Sequence, residues 1–293
     1  MLAGATLACL ALVCPWRKEW PVPKWHKQQA SQCGQDAFLD HNIFRGALNG
    51  TYLDLGCNDG RSNSNTYWFA HNAKRNWYGK CYEADPKMFS QIRSMSGRTD
   101  GEHGAISNKD GVATFGVVNV RDGGLSGLMN TLDTVRGKRF GKIRTVDAPT
   151  VTPRTILERH YASIETIDYV SLDVEGHELE VMRAWPFHAR WCISVFTIEN
   201  NHWCNASHGI LEELKHLMPQ YVHLTSIGVD EVFVRKVSCA NTKLTYPGTP
   251  VRTPSRRFRN GRSDLSPSTA RRGRSARRTR PDGGAGGASS PGS

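Results

Sequence analysis

Short apolar runs alternate with stretches of helical periodicity along the first half of the chain. Residues 29–45 have apolar positions at helical spacing, and the strand-like run YLDLG follows them. A helix is then expected from Ser62 or Ser64 to about Asn76, since either serine can cap it. The run WYGKCYEA and a helix that begins at Pro86 come next. Strands and helices in this order predict a mostly parallel sheet with helices on both faces.

The alternation resumes in the second half, after a less regular middle. There, GAIS predicts the end of a third strand, NKDGVATFGVV predicts a hairpin that turns at Asp110 and Gly111, and residues 131–150 look irregular. The second half predicts, in order, a helix at PRTILERHY, a strand at IDYVSLDV, a helix at EGHELEVMRAW, a strand at CISVFTIEN and a helix at 207–218. The close final pair, YVHLTSI and EVFVRKV, is expected to be antiparallel.

Acidic residues follow the ends of four predicted strands. In open α/β sheets, ligands bind beyond the carboxyl ends of the strands. Because carboxylates are costly to bury, their gathering at this edge predicts a polar or cationic ligand. Helix capping accounts for any one of them, but less readily for all four. The four groups are Asp54 with Asp59, Glu83 with Asp85, Asp173 with Glu175, and Glu199 with Asn200 and Asn201.

The loop after the first strand favours a nucleoside ligand over a dinucleotide. Gly56 and Gly60 bracket a tight turn in which a ligand can approach backbone amides. Glu83 follows the second strand, where an acid can accept both hydroxyls of a ribose. The loop sequence G-C-N-D-G lacks the longer G-x-G-x-x-G of dinucleotide sites, so an NAD-dependent enzyme is disfavoured. A sulfonium cofactor carries no phosphate, and its cationic groups suit Asp54 and Asp59.

Taken together, these motifs resemble those of the FkbM-type methyltransferases, which use S-adenosyl-L-methionine. The resemblance runs from about residue 31 to residue 235 and implies a Rossmann-like fold with a seven-stranded sheet. It is greatest for the subgroup with SNT after the glycine loop, which includes secretory-pathway proteins better known for trafficking than for catalysis. Cys57 stands where the family often has alanine, and Ala84 and Asp85 separate Glu83 from the proline that usually follows it. The matching segments are SQCGQDAFL, GTYLDLGCNDG, SNTYWF, WYGKCYEADPKMF, GAISNKDGVATF and, most specifically, IDYVSLDVEGHELEVM.

The resemblance implies where the cofactor and the reacting groups lie. The glycine loop would line the methionine end of the cofactor, Glu83 would hold the ribose, and Asp173, Glu175 and Gly176 would lie beside the methyl group. Transfer to a hydroxyl also needs a base, and Asp173 can accept that proton, whereas Glu175 can cap the following helix. The predicted cofactor-binding residues are Asp54, Gly56, Asn58, Asp59, Gly60, Glu83 and Asp85, and the candidate catalytic residues are Asp173, Glu175, His177 and His202.

Two of these candidates have an equally simple alternative. His177 and His202 are each also explained as partly exposed surface residues. A metal site built from Asp173, Glu175 and His177 is not predicted, because Gly176 would break the extended backbone that it needs.

The positive charge of the chain is concentrated at its C-terminal end. The whole chain carries +11, but residues 251–293 hold eleven arginines against two aspartates, or +9, which leaves +2 for the other 250 residues. No specific nucleic-acid partner is therefore predicted for the folded part. Residues 245–293 are rich in Arg, Ser and Gly and are expected to be a disordered tail that could bind polyanions nonspecifically.

The N-terminus and the cysteines bear on location without deciding it. Residues 1–20 contain an apolar run typical of a signal or a short anchor, so both a secretory-pathway (Golgi) and a cytoplasmic location stay open, as does membrane association. The eight cysteines lack zinc-site spacing. Cys57 and Cys81 are expected to be buried free thiols, and Cys192 and Cys204 are a candidate disulfide.

These observations lead to one main hypothesis and one alternative. The main hypothesis is that residues 29–240 form an S-adenosylmethionine-dependent O-methyltransferase acting on a sugar hydroxyl or a small metabolite. The alternative is a non-catalytic protein of the secretory pathway that uses the methyltransferase fold for binding or trafficking.

Overall fold

The computed structural model describes residues 30–118, 125–132, 142–201 and 209–240. Its strands fall into one seven-stranded and one four-stranded sheet. In chain order they are β1 (Thr51–Leu55), β2 (Tyr78–Glu83), β3 (Gly101–His103), β4 (Ala105–Ile106), β5 (Gly111–Val118), β6 (Gly127–Leu128), β7 (Ile143–Val151), β8 (Thr166–Leu172), β9 (Cys192–Glu199), β10 (Tyr221–Ile227) and β11 (Asp230–Arg235).

The large sheet has the predicted, mostly parallel architecture. Its strand order is β10-β11-β9-β8-β1-β2-β3. Strands β3, β2, β1, β8 and β9 run parallel to one another, whereas β11 is antiparallel to both β9 and β10. The sequence-based prediction of an antiparallel closing pair is confirmed.

Helices cover both faces of the large sheet, as the alternating pattern predicted. Leu53 of β1 packs in one apolar cluster, and its neighbour Tyr52 packs in another, because successive side chains of a strand point to opposite faces. The helices are α1 (Gln35–Phe38, continued by a π-helical turn at Leu39–Phe44), α2 (Tyr67–His71), α3 (Pro86–Gln91, continued at Ile92–Ser96), α4 (Pro153–His160), α5 (Glu178–Arg183) and α6 (Leu211–Leu217). Helices α1 and α2 pack with Tyr52, and α4, α5 and α6 pack with Leu53. In the described ranges, none of the helices combines the length and the apolar character that a membrane crossing requires.

The four-stranded sheet corrects two expectations about the middle of the chain. The part of the predicted irregular stretch from residue 143 onward is a strand, because β7 spans Ile143–Val151 and pairs antiparallel with β5 from Ile143 to Thr150. The hairpin predicted to turn at Asp110 and Gly111 is also wrong, since β4 pairs with β7 and not with β5. Most residues of β7 are partly or fully exposed, so its apolar signal is weak in the sequence.

Helix α2 is shorter than the sequence indicates. The prediction placed its cap at Ser62 or Ser64 and its end near Asn76, but the helix spans only Tyr67–His71. The hydroxyl of Ser64 donates a hydrogen bond to the Asp54 carboxylate, 3.0 Å away, and caps no helix. This long-range bond holds residues before the helix in an irregular path.

The cysteine pairing differs from the expectation. Cys57 and Cys81 form a disulfide rather than two free thiols, and Cys192 pairs with Cys239. Cys204 lies outside the described residues, as do the predicted N-terminal segment at 1–20 and the predicted tail at 245–293.

Candidate functional site

A cavity of about 330 Å³ lies at the carboxyl edge of the parallel strands. The glycine loop after β1, the end of β2 and the start of α3 line one side, and the ends of β8 and β9 line the other. Phe115, Ser126 and Leu128 of the four-stranded sheet region also line the cavity. Among the predicted site residues, those that line the cavity are Gly56, Asn58, Glu83, Asp85, Asp173 and Glu175.

The glycine loop approaches the neighbouring strand so closely that only glycine fits at its first position. Gly56 has φ of +98°, and a Cβ atom there would lie 1.7 Å from the backbone oxygen of Asp173. Its N–H donates to the Tyr82 carbonyl over 2.9 Å, and the next N–H, of Cys57, donates to the same oxygen over 3.1 Å. The loop is therefore held between β2 and β8, and its backbone forms part of the cavity wall.

Glu83 is buried at the end of β2, with its carboxylate held by the backbone. Its two oxygens accept hydrogen bonds from the N–H groups of Asn58 (2.8 Å) and Asp85 (2.7 Å). Burial raises the pKa of Glu83 to about 8, although these two N–H groups act in the opposite direction. The carboxylate of Asp85 caps α3 by accepting from the backbone N–H of Lys87, and its other oxygen accepts from Ser126.

The other acids of the first loop do not line the cavity. The Asp54 carboxylate accepts hydrogen bonds from the hydroxyls of Ser64 (3.0 Å) and Thr66 (2.6 Å). The Asp59 carboxylate accepts backbone N–H bonds within its own loop, and Gly60 packs near Ile92 of the α3 extension. These contacts shape the loop, so a direct cofactor contact of Asp54, Asp59 or Gly60 stays a prediction.

Arg98 is a buried cation beneath the loop that the sequence did not single out. Its guanidinium donates to the hydroxyls of Ser64 and Thr66, each over 3.1 Å, and lies 3.7 Å from the Asp54 carboxylate. It also forms a two-point ion pair with Asp100. One arginine among many gives no sequence signal, because its role depends on segments that meet only in the fold.

Three acids line the opposite side of the cavity: Asp173, Glu175 and Glu199. Glu175 adopts φ of +56°, which is uncommon for a residue with a side chain. The loop that carries it is held by Glu178, whose carboxylate accepts the N–H groups of Val174 (2.9 Å) and Gly176 (3.0 Å). The expectation that Glu175 caps a helix starting at Gly176 is therefore wrong, since α5 begins at Glu178.

Carboxylates crowd together behind this loop. Asp173, Glu178 and Glu199 each present an oxygen within 4.8 Å of the others. Burial raises the pKa of Glu199 well above its usual value, and the negative charges of Asp173 and Glu175 add to that effect. The raised pKa favours the protonated form of Glu199, which can donate a hydrogen bond.

His177 is buried behind the cavity rather than exposed at the surface. Only 2% of its surface is exposed, so the surface alternative is wrong, and it is not among the cavity-lining residues. Its ring nitrogens form hydrogen bonds with the hydroxyls of Thr131 (3.1 Å) and Ser107 (3.3 Å). Burial lowers its pKa, and the ring connects the start of α5 to the four-stranded sheet region. His202 lies outside the described residues.

Comparison with known proteins agrees with this geometry. The family model of the methyltransferase FkbM domain matches residues 54–221, which is more than half of the chain and includes both sides of the cavity. The searches of curated proteins and of solved structures gave no match. Membership of the SNT subgroup stays a prediction. The match over residues 54–221 shows that the chain belongs to the FkbM methyltransferase family.

Proposed function

We propose that this chain is an S-adenosylmethionine-dependent O-methyltransferase that methylates a hydroxyl group of a sugar or a small metabolite. The observation that carries the proposal is a cavity that has the glycine loop and Glu83 on one side and Asp173 on the other. Enzymes of the FkbM family generally use S-adenosylmethionine. When bound, this cofactor supplies a methyl group on a sulfonium, and the transfer is an in-line displacement.

The residues on the β2 side fit such a cofactor. Glu83 is buried and its carboxylate is fixed by two N–H donors, so the remaining lone pairs of its oxygens can accept ribose hydroxyls. Gly56 brings backbone to the cavity wall where any larger residue would collide with Asp173. Met88 and Ile106 add apolar surface to the lining, which suits an adenine ring.

The residues on the β8 side fit a hydroxyl acceptor. Asp173 can accept the hydroxyl proton as the acceptor oxygen attacks, and Glu199, whose raised pKa favours its protonated form, can donate a hydrogen bond to a neighbouring hydroxyl. Asn63 and Asn201 also line the cavity and can pair with further hydroxyls. Within the described ranges, no lysine, arginine or histidine lines the cavity, which favours a neutral acceptor such as a sugar over an anionic one.

Calorimetry tests the cofactor, and labelled methyl transfer tests the reaction. Wild type should give saturable heat with S-adenosylmethionine, and Glu83→Ala should weaken binding about tenfold or more, since its carboxylate would hold the ribose. Glu102→Ala is the matched control, because Glu102 pairs with Lys80 on the adjacent strand, away from the cavity lining. Asp173→Asn should bind the cofactor but lose transfer to a pool of glycans and metabolites. Absence of saturable heat from wild type would contradict the proposal.

The disulfides favour an oxidising compartment, and hence the secretory pathway over the cytoplasm. Stable disulfides are rare in reducing compartments, and this fold has Cys57 bonded to Cys81 and Cys192 bonded to Cys239. The alternative function, a secretory-pathway module that binds without catalysis, shares this location. Cofactor binding by wild type without transfer to any acceptor pool would favour that alternative. Alkylation and mass measurement before and after reduction should show these four cysteines protected until reduction.

A further inference from the structure

A disulfide joins the two elements that form the cofactor side of the cavity. Cys57 directly follows Gly56 in the glycine loop, and Cys81 lies on β2, two residues before Glu83. Their Cα atoms are 5.8 Å apart, and neither side chain has any exposed surface. The two sulfurs pack with Ile92 in a small apolar cluster beneath the loop.

Without this covalent bond, hydrogen bonds would have to hold the loop against β2. Gly56 and Cys57 donate to the Tyr82 carbonyl, and the Asn58 N–H donates to the Glu83 carboxylate. Asn58 has a positive φ of +56°, which a residue with a side chain rarely adopts, and Gly56 at +98° has many other conformations open to it when the loop is not held. Each of these hydrogen bonds replaces a hydrogen bond to water, so its net contribution to stability is small. These bonds alone therefore hold the loop only weakly in its ordered conformation.

We infer that the Cys57–Cys81 disulfide is a positioning element of the cofactor site, which fixes the glycine loop on Glu83 before the cofactor binds. This inference rests on the proposed function, because the ligand whose site is positioned is the cofactor. A loop ordered in advance loses less conformational entropy on binding, so the oxidised protein binds more tightly. Reduction by a dithiol breaks the S–S bond, delivers two electrons and two protons to form two thiols, and leaves the dithiol as its own disulfide.

The second disulfide provides a matched control in the same chain. Cys192 begins β9 and is bonded to Cys239, which follows β11. The cavity lies at the carboxyl ends of the parallel strands, so this disulfide is at the opposite edge of the sheet. It closes a span of 47 residues against 24 for Cys57–Cys81, and therefore constrains the unfolded chain at least as strongly. The two disulfides should thus have similar effects on stability and different effects on the cofactor site.

The test compares full-length Cys57→Ala/Cys81→Ala with full-length Cys192→Ala/Cys239→Ala. The first variant should bind S-adenosylmethionine about tenfold more weakly by calorimetry. This factor corresponds to the conformational entropy cost of ordering roughly one more backbone residue on binding. Without ligand, its Gly56 and Asn58 amides should exchange hydrogen faster than in wild type. The second variant should keep wild-type affinity and wild-type exchange at both amides. A third variant, Cys57→Ala/Cys81→Val, keeps more of the buried volume and replaces the first if that one does not fold.

Two results overturn the inference. One is equal affinity and equal amide exchange in the Cys57–Cys81 variant and wild type, and the other is an equal loss of affinity in both cysteine-pair variants. Wild type that gives no heat with S-adenosylmethionine refutes the proposed function instead. The exchange of the Asn58 amide then decides by itself, since unchanged exchange in the Cys57–Cys81 variant shows that the disulfide does not order the loop.

Discussion

Replacement of Arg98 by methionine should destabilise the fold through the charges that it leaves behind. The guanidinium bonds the Asp100 carboxylate at 3.0 and 2.8 Å, lies 3.7 Å from the Asp54 carboxylate and donates to the hydroxyls of Ser64 and Thr66. Methionine fills a similar volume but donates no hydrogen bond. In Arg98→Met, two carboxylates at the base of the glycine loop therefore lose their shared cation.

The expected loss follows from the burial of this group. Only 1% of the Arg98 side chain is exposed, and removal of one partner from a buried ion pair costs about 3–5 kcal/mol. For a domain of this size that corresponds to a decrease in melting temperature of about 6–20 °C. Equilibrium unfolding in guanidinium chloride, with the disulfides intact, measures the free energy of unfolding directly.

The loss of stability in Arg98→Met should also depend on pH. Burial raises the pKa of Asp54. Burial acts in the same direction on Asp100, but the hydrogen bonds and the charge of Arg98 outweigh it and hold the Asp100 pKa below its usual value. Loss of Arg98 should raise the folded-state pKa of both Asp54 and Asp100, so the stability of the variant relative to wild type should fall as pH rises and these carboxylates ionise. Arg98→Met should therefore be closer to wild type in acid than at neutral pH.

A surface arginine provides the control for this prediction. Arg183 forms ion pairs with Glu180 and Glu213, but 45% of its side chain is exposed to water. Arg183→Met should leave the free energy of unfolding unchanged within experimental error, because exposed ion pairs contribute little. If Arg98→Met lost no more stability than Arg183→Met, the reasoning from burial would be refuted.

Three further predictions concern the cavity walls. Gly56→Ala should lower the melting temperature far more than Gly111→Ala. Both residues have positive φ, but of the two only a Cβ added at Gly56 would collide with backbone, at Asp173. Equal decreases in melting temperature would contradict this. Because burial lowers the His177 pKa, wild type should lose stability as pH falls through 6.5, and His177→Asn should lose less over that interval in a pH series of unfolding curves. Burial raises the Glu199 pKa, so ionisation of Glu199 destabilises wild type as pH rises. The stability of Glu199→Gln relative to wild type should therefore increase from acidic to alkaline pH. A difference that does not change with pH would show that Glu199 does not titrate as described.

The local pattern of the sequence was enough to predict the large sheet and the position of its ligand site. Apolar runs and helical periodicity are properties of neighbouring residues, and they predicted a mostly parallel sheet, helices on both faces and an antiparallel closing pair. The rule that ligands bind at the carboxyl ends of parallel strands then placed Glu83 and Asp173 at one edge, and both line the cavity. The same rule could not show that Asp54 is not among the lining residues and instead lies 3.7 Å from Arg98.

Only the tertiary structure decided which distant segments meet. The β7 strand is stable because it pairs with β5, some thirty residues upstream, and its own residues are mostly exposed. Cys57 finds Cys81 because β1 and β2 are adjacent and in register, with Asp54 beside Cys81. Contacts between residues far apart in the chain decide which strands pair, which cysteines bond and which partner a buried charged group contacts. Local periodicity carries no information about those contacts.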